Sequence, residues 1–183
     1  MKLTKKMTLE QFAFAVASEL KKHEIDVILT GGAVVSIYSI GKYVSKDADF
    51  LSATDHKTIT QVMHTLGFKN VGKDFYHDDT DFSVEFPGSQ LIIGNSPMNP
   101  DGKIERKGFA LRLLSPTQCV MDRLAAFYHW RDRQSLDQAL MVAQNHPIKI
   151  KKIEAWSKAE GEKVKFEEFV ALLKSSKAQR NKR

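Results

Sequence analysis

The segment from Val27 to Leu51 constrains the fold of this chain more than any other. It reads as an apolar strand, the glycine pair Gly31 and Gly32, a short apolar helix, and a second strand that carries Asp47 and Asp49. A glycine pair between a strand and a helix lets a phosphate approach the backbone N–H groups at the helix N-terminus. A lone glycine pair is more often a simple turn. The order of the four parts, strand, glycine pair, helix and acidic strand, is therefore what indicates a phosphate site.

Two aspartates characterise the second strand. Side chains at i and i+2 of a strand point to the same face, so Asp47 and Asp49 project together. Like charges held close repel unless a cation or a proton lies between them, and paired carboxylates suit Mg²⁺. The apolar neighbours Val44, Phe50 and Leu51 indicate a half-buried strand, on which unpaired charges are costly. The segment predicts a site for a nucleoside triphosphate and a metal ion, although an isolated Asp-x-Asp is usually a solvated pair.

This motif resembles a known family signature. The glycine pair, fourteen intervening residues and the run Asp47–Phe50 resemble the signature of the nucleotidyltransferase superfamily with the polymerase-beta-type fold. With Ser45 and Lys46 before the first aspartate, the segment most resembles the minimal, AbiE-toxin-like branch of prokaryotes. The resemblance is strong over residues 25–52 and looser to about residue 145.

The resemblance implies a role for each matching position. Gly31 and Gly32 would hold the triphosphate against their backbone, and Asp47 and Asp49 would hold one or two Mg²⁺ or Mn²⁺ ions. A third carboxylate is expected on a following strand, for which Glu85 is the candidate. These three acids would be the catalytic, metal-binding set of an enzyme whose substrate is an NTP.

Glu85 lies in an alternating run from Phe82 to Phe86, where it shares a strand face with Ser83. A surface glutamate on an edge strand is the alternative interpretation, and the family more often has aspartate here. The glycine pair lacks the serine hydroxyl that many members aim at a phosphate, so Ser36, one turn into the helix, is the substitute candidate. Lys46 is a further candidate contact to the triphosphate, although loop lysines are usually solvated.

The character of the chain changes at Ser115, where Ser-Pro-Thr-Gln predicts a capped helix start. This half resembles the helical part of AbiE-like nucleotidyltransferases, in which a basic residue and an acid on successive helices complete the nucleotide site. Arg123 falls where that family tends to place a lysine, and Asp132 or Asp137 would supply the acid. An ion pair between helices is the alternative role for Arg123. Trp130 is expected to pack between helices, with stacking on a base as the alternative.

Composition indicates a soluble globular protein. Its 183 residues are 42% hydrophobic and 27% charged, which suits one domain or one domain with a small appendage. No apolar run approaches the length of a membrane span and no secretory signal is recognisable, so no membrane partner is expected. The single cysteine, Cys119, excludes an intramolecular disulfide and favours a cytoplasmic location.

The positive charge is concentrated at one end. Residues 1–148 contain 17 Lys or Arg and 17 Asp or Glu, whereas residues 149–183 contain 11 and 5. The whole net charge of +6 therefore lies in the C-terminal segment. Such a segment either attracts RNA by counterion release or forms a solvated, lysine-rich helix.

These patterns predict an α+β fold, in which a small mixed β-sheet of about five strands with helices on one side is followed by a C-terminal helical bundle. We expect a nucleotidyltransferase-like core over residues 1–114, a helical part packed on it over 115–176, and a basic disordered tail over 177–183. The expected strands are 27–30, 48–51, 75–77, 82–86, 91–94 and 109–114, the stretch 95–103 is expected to be a loop, and the C-terminal helices are expected at 116–130, 134–145, 149–158 and 165–177.

The function that follows is Mg²⁺-dependent transfer of a nucleoside monophosphate from an NTP to a macromolecule. An RNA 3′ end and a protein side chain are both candidate acceptors, and the resemblance suggests a toxin–antitoxin or phage-defence context. A catalytically degenerate member that binds nucleotide or RNA, or regulates a partner, is the alternative. A toxin or antitoxin partner, or a homodimer, is a further expectation.

Overall fold

The computed structural model describes residues 2–106 and 108–180, with side chains described as far as residue 176. Within these ranges the chain forms helices and strands in the following order: α1 (Leu9–Lys22), β1 (Ile28–Thr30), α2 (Gly31–Tyr38), β2 (Asp47–Leu51), α3 (His56–Thr65), β3 (Lys69–Val71), β4 (Asp74–Tyr76), β5 (Ser83–Gly88), β6 (Ile92–Ile93), β7 (Ser96–Pro97), β8 (Gly102–Arg106), β9 (Phe109–Leu113), α4 (Pro116–Trp130), α5 (Arg133–Asn145), α6 (Ile150–Ala159) and α7 (Lys163–Arg180).

Seven of these strands form one mixed sheet in the order β3-β4-β5-β2-β1-β9-β8. Strand β2 runs parallel to β5 and antiparallel to β1, and β1 runs parallel to β9. The remaining neighbours in the sheet pair antiparallel. The mixed sheet followed by C-terminal helices confirms the predicted α+β class. It also puts the strand of the two aspartates at the centre of the sheet.

The sheet is larger than the five strands that we predicted. Strand β3 was missed because all three of its residues are exposed, so it lacks the alternation that marks a half-buried strand. Strand β8 has Ile104 as its one apolar residue, and it begins inside the stretch that we predicted to be a loop. That loop prediction was wrong for β7 as well, which pairs with β6 in a separate hairpin.

The core of the sheet layer is built from central strands and α1. Thr8 and Gln11 form a capping box at the start of α1, whose apolar stripe is buried. Phe12 on this stripe packs against Phe68 and Phe82, with ring centroids 6.4 and 5.4 Å apart. The fully buried residues of the central strands are Leu29, Ala48, Phe50, Val84, Leu111 and Leu113.

The four predicted C-terminal helices are confirmed. Ser115 and Gln118 form a capping box, and α4 packs chiefly on α5. Cys119 on α4 is fully buried, and burial raises the pKa of its thiol, as expected for a cysteine that acts as a small apolar residue. The Tyr38 hydroxyl at the end of α2 donates to the Leu114 carbonyl at 2.9 Å, so the start of the helical part is attached to the helix that follows the glycine pair.

Helix α7 extends to Arg180, beyond residue 176, where the helical part was predicted to end. Residues 181–183 of the predicted tail lie outside the described residues. Across the ranges that the structure describes, no helix combines the length and the apolarity that crossing a membrane would need.

Candidate functional site

The two aspartates of β2 lie on one face of the central strand. Ala48 and Phe50 alternate with them and are fully buried on the other face. Across the parallel pair of β2 and β5, Asp47 is in register with Ser83 and Asp49 with Glu85. The structure therefore brings the three predicted acids to the same region of the sheet, with Ser83 beside them.

Asp49 lies directly over Gly31, the first glycine of the pair. Gly31 has a φ of +64°, and a Cβ atom built on it would be 2.1 Å from Asp49 Oδ2. Only glycine is compatible with both this backbone conformation and this approach. Since Gly31 is the first residue of α2, the Asp49 carboxylate lies at the N-terminus of that helix. The neighbouring Thr30 hydroxyl donates to the Asp49 carbonyl at 3.2 Å and holds the two segments together.

The Asp49 carboxylate is electrostatically unfavourable as it stands. Burial, followed by the charges of Glu85 and Asp47, raises its pKa to about 6, while Arg123 and Lys73 act in the opposite direction. None of the residues that the structure describes donates a hydrogen bond to this carboxylate. A group in this condition gains stability from a cation or from a proton.

The other two acids are engaged by different partners. Asp47 Oδ1 accepts a hydrogen bond from Ser83 Oγ at 2.6 Å. Glu85 Oε1 lies 2.8 Å from Lys73 Nζ, which reaches in from the turn between β3 and β4. Among the side chains described in residues 2–106 and 108–176, no three acidic, histidine or cysteine groups converge as ready metal ligands.

The donor set nevertheless fits a divalent cation. Three carboxylates on two adjacent strands supply the oxygen ligands that Mg²⁺ and Mn²⁺ prefer. The Lys73 ammonium already provides a positive charge at one of them. A cation at Glu85 would compete with that ammonium for the carboxylate oxygens.

The remaining candidates near the glycine pair are peripheral. A Cβ atom on Gly32 would lie 3.1 Å from Ser45 Oγ and 3.3 Å from the Tyr43 hydroxyl, so the loop before β2 covers this residue. Ser36 is half-buried, and its carbonyl accepts a hydrogen bond from Ser39. The Lys46 side chain is exposed, while its carbonyl accepts from the Ser83 amide at 3.0 Å.

The ion pair that Arg123 forms lies within α4 and not between helices, and its role at the nucleotide site stays a prediction. Its guanidinium pairs with Asp122 at 2.6 Å and also donates to Gln138 at 3.3 Å. Although burial opposes the charged form, Asp122 keeps the pKa of Arg123 raised. The same positive charge opposes the rise in the pKa of Asp49, so Arg123 lies within electrostatic reach of that carboxylate.

Two acids were proposed to complete this part of the site. Asp132 is the N-cap of α5, where it accepts from the Gln134 amide at 3.0 Å and the Ser135 hydroxyl at 2.6 Å. These bonds, the Ser135 one above all, lower the pKa of Asp132. Asp137 is exposed on α5. The expectation that Trp130 packs between helices was wrong, because this side chain is 78% exposed at the end of α4.

Strand β4 contains residues that the sequence interpretation missed. Asp74 pairs in register with Glu85 and Tyr76 with Ser83, so β4 extends the polar face by one strand. The charges of Asp74 and then Asp47 contribute to a raised pKa of Tyr76. The sequence Gly72-Lys73-Asp74 indicates a turn, but nothing in it reveals the register that brings Lys73 to Glu85.

Four of the seven C-terminal lysines whose side chains are described pair with nearby acids. The described pairs join Lys152 to Asp101, Lys158 to Glu154, Lys163 to Glu167 and Lys165 to Glu162, at 3.0 to 3.7 Å. Among the lysines whose side chains are described here, Lys149, Lys151 and Lys174 have no carboxylate within ion-pairing distance. The solvated-helix interpretation therefore accounts for much of this segment as far as residue 176.

Comparison with known proteins identifies the fold class. No family model and no curated protein sequence matches this chain. Among solved structures, an antigenic nucleotidyltransferase-like protein from Paracoccidioides brasiliensis aligns with a TM-score of 0.53 at 14% identity, over 77% of this chain and 78% of that one. The chain therefore has a nucleotidyltransferase-like fold, and at this identity the likeness concerns the fold alone.

Two structures of the antibiotic-resistance factor ANT(2'')-Ia also align with this chain. The solution structure has a TM-score of 0.49 at 12% identity, over 94% of this chain and 100% of that one. The crystal structure in complex with adenylyl-2"-tobramycin has a TM-score of 0.47 at 13% identity, over 83% and 95%. The proposed relation to the AbiE-like branch stays a prediction.

Proposed function

We propose that this protein transfers a nucleoside monophosphate from an NTP to a macromolecular acceptor in the presence of Mg²⁺ or Mn²⁺. The observation that carries the proposal is the state of Asp49. Its carboxylate lies against Gly31 at a helix N-terminus, in register with Glu85, and its pKa is raised to about 6. Perturbed acids of this kind are typical of catalytic sites.

Each residue of the site has a role in this proposal. The first N–H groups of α2 have no intrahelical partner, and the Thr30 side chain does not cap them, so Gly31 and Gly32 can offer theirs to phosphate oxygens. Asp47, Asp49 and Glu85 would hold the metal. A bound metal would supply Lewis-acid stabilisation of the negative charge that develops as pyrophosphate leaves.

Arg123 is proposed to support the phosphate side of the same site. Its ion pair with Asp122 and its bond to Gln138 hold the guanidinium in a half-buried position with little freedom. A preorganised cation within electrostatic reach of Asp49 contributes to charge stabilisation without reorganisation during the reaction. Ser36, Lys46 and Asp132 remain weaker candidates, because each lacks a described contact with the acids.

The macromolecular acceptor is proposed to approach from the side of β4. Beyond Glu85 the polar face continues with Asp74 and with Tyr76, which is 46% exposed. The pairing of the C-terminal lysines reduces the support for RNA, so an RNA 3′ end and a protein side chain both remain acceptors to be tested. A toxin–antitoxin or phage-defence context, a protein partner and a homodimer likewise remain part of the proposal.

Radiolabel transfer tests the proposal directly. The pure protein is incubated with each α-³²P-labelled NTP, Mg²⁺ or Mn²⁺, and total cellular RNA and protein. Label on RNA or on a protein, absent with the Asp47→Asn/Asp49→Asn variant, is the expected result and identifies the acceptor class. Absence of label under every NTP and metal, with folded protein, would overturn the proposal.

A catalytically degenerate binding module is the second candidate function. The Lys73–Glu85 ion pair favours it, because a lysine engages the third acid. This candidate predicts that the protein binds NTP by calorimetry while no label is transferred. Transfer of label by the wild-type protein would eliminate it.

A further inference from the structure

Lys73 is the cation nearest to the proposed third metal ligand. Its Nζ atom lies 2.8 Å from Glu85 Oε1, and the Lys73 and Glu85 side chains are 73% and 18% exposed. Lys73, on the exposed turn between β3 and β4, thus holds Glu85 of strand β5. Such a lysine can leave its partner without disturbing the core.

The charge of Lys73 extends beyond this single contact. Glu85, which Lys73 engages, stands in register with Asp49 on the neighbouring strand β2. One ammonium therefore lies beside a pair of acids. A divalent cation at the same acids would be repelled by it and would compete with it for the Glu85 oxygens.

We propose that Lys73 is an internal counter-cation that holds Glu85 until a divalent metal displaces it, and that it thereby sets the metal concentration at which the site fills. This inference rests on the proposed function, because it assumes that the three acids bind the metal. Lys73 is a positioning residue in this scheme, since it acts through Glu85.

Mn²⁺ binding provides the test, and it needs no activity. Free Mn²⁺ is measured by electron paramagnetic resonance during titration of the wild-type protein and of Lys73→Met, without nucleotide. Removal of the competing charge is expected to tighten Mn²⁺ binding about three- to tenfold, given the modest strength of exposed ion pairs and the added repulsion of the divalent ion. Lys73→Arg, which keeps the charge, is expected to bind Mn²⁺ like the wild type.

The same hairpin offers a matched control. Lys69 is 71% exposed and pairs with Asp78 at 2.7 Å, outside the set of three acids. Lys69→Met removes the same charge, so it accounts for any general change in net charge, and its Mn²⁺ affinity is expected to stay within about twofold of the wild type. In a Glu85→Gln background the effect of Lys73→Met is expected to be smaller than in the wild-type background, because competition for Glu85 is gone and only the repulsion between the ammonium and the divalent ion remains.

The outcomes separate this inference from the proposed function. Wild-type binding of Mn²⁺ that Lys73→Met does not tighten beyond the Lys69→Met control would overturn the role of Lys73 and leave the metal site standing. Absence of Mn²⁺ binding by the wild type at millimolar concentration would overturn both.

Discussion

The carboxylates of Asp49 and Glu160 both lie against a glycine backbone, but the groups that surround them differ. Each lies against a glycine with positive φ, Gly31 at +64° and Gly94 at +62°, where a Cβ atom would be within 2.1 and 2.5 Å of the acid. Both glycines allow a carboxylate to approach the backbone closely. The difference between the sites lies in what else surrounds the acid.

Glu160 is surrounded by donors. Its side chain is 2% exposed, and it accepts bonds from the Asn95 amide and the Asn95 side chain, both at 2.9 Å. His129 Nε2 lies 3.2 Å away. These bonds join the β6–β7 hairpin to α6, and the Trp156 indole adds a bond to the Ile93 carbonyl at 3.3 Å. Glu160 therefore has a structural role.

Asp49 is surrounded by acids and receives no hydrogen bond from any residue that the structure describes. The comparison teaches that burial alone does not show whether the fold satisfies the charge of a carboxylate. The distinguishing feature is whether the fold supplies the donors that a buried charge requires. Where it does not, a ligand is expected to supply the missing charge.

The largest expected effect is on activity. The Asp47→Asn/Asp49→Asn variant is expected to lose about a thousandfold or more of any nucleotidyl transfer, because the metal loses two of its ligands. The initial rate of label transfer measures this loss. Asp78→Asn, which removes an exposed acid from the β4–β5 turn, is the control and should retain activity. Equal rates in both variants would contradict the assignment.

Gly31→Ala is expected to cost about 2–4 kcal/mol in the free energy of unfolding. The added methyl group meets the Asp49 carboxylate, and alanine is strained at this φ. Urea denaturation measures the cost. In an Asp49→Ala background only the backbone strain remains, so the cost should fall to about 1–2 kcal/mol. An unchanged cost would show that the close approach is not the cause.

Replacing Glu160 or Asp49 by its amide is expected to change the free energy of unfolding in opposite directions. At pH 7.5, Glu160→Gln is expected to destabilise the protein by about 1–3 kcal/mol, because an amide nitrogen replaces one acceptor among its donors. Asp49→Asn is expected to stabilise the metal-free protein by about 1–2 kcal/mol, after allowance for partial exposure, because it removes an unfavourable charge. Urea denaturation of both variants measures this, and destabilisation by both would remove the distinction.

The stabilisation by Asp49→Asn should depend on pH. The pKa of Asp49 is raised in the folded state to about 6, so the folded protein binds the proton more tightly than the unfolded chain. This contribution is complete below about pH 4 and is lost as the pH rises through about 6. The gain from Asp49→Asn should therefore be near zero at pH 4 and full at pH 7.5. A gain that is independent of pH would exclude Asp49 as its source.

Much of the fold was predictable because its signals are local. The capped helix start at Ser115 and the helical spacing after it depend on neighbours within one turn, and both are confirmed. Strands β3 and β8 were not predictable, because their place in the sheet depends on backbone hydrogen bonds to distant segments. Trp130 was misjudged because helical spacing alone does not tell which side of a helix end remains uncovered.

The sequence by itself determined the local unit of strand, glycine pair, helix and acidic strand, since each part rests on backbone geometry and on side-chain alternation over a few residues. It also identified Glu85 as a candidate from its own strand. Only the tertiary structure decided that Glu85 stands in register with Asp49 and that Lys73 pairs with Glu85. It also decided that Arg123 interacts electrostatically with Asp49. Strand register and long-range electrostatics depend on how distant segments pack, and no local pattern carries that information.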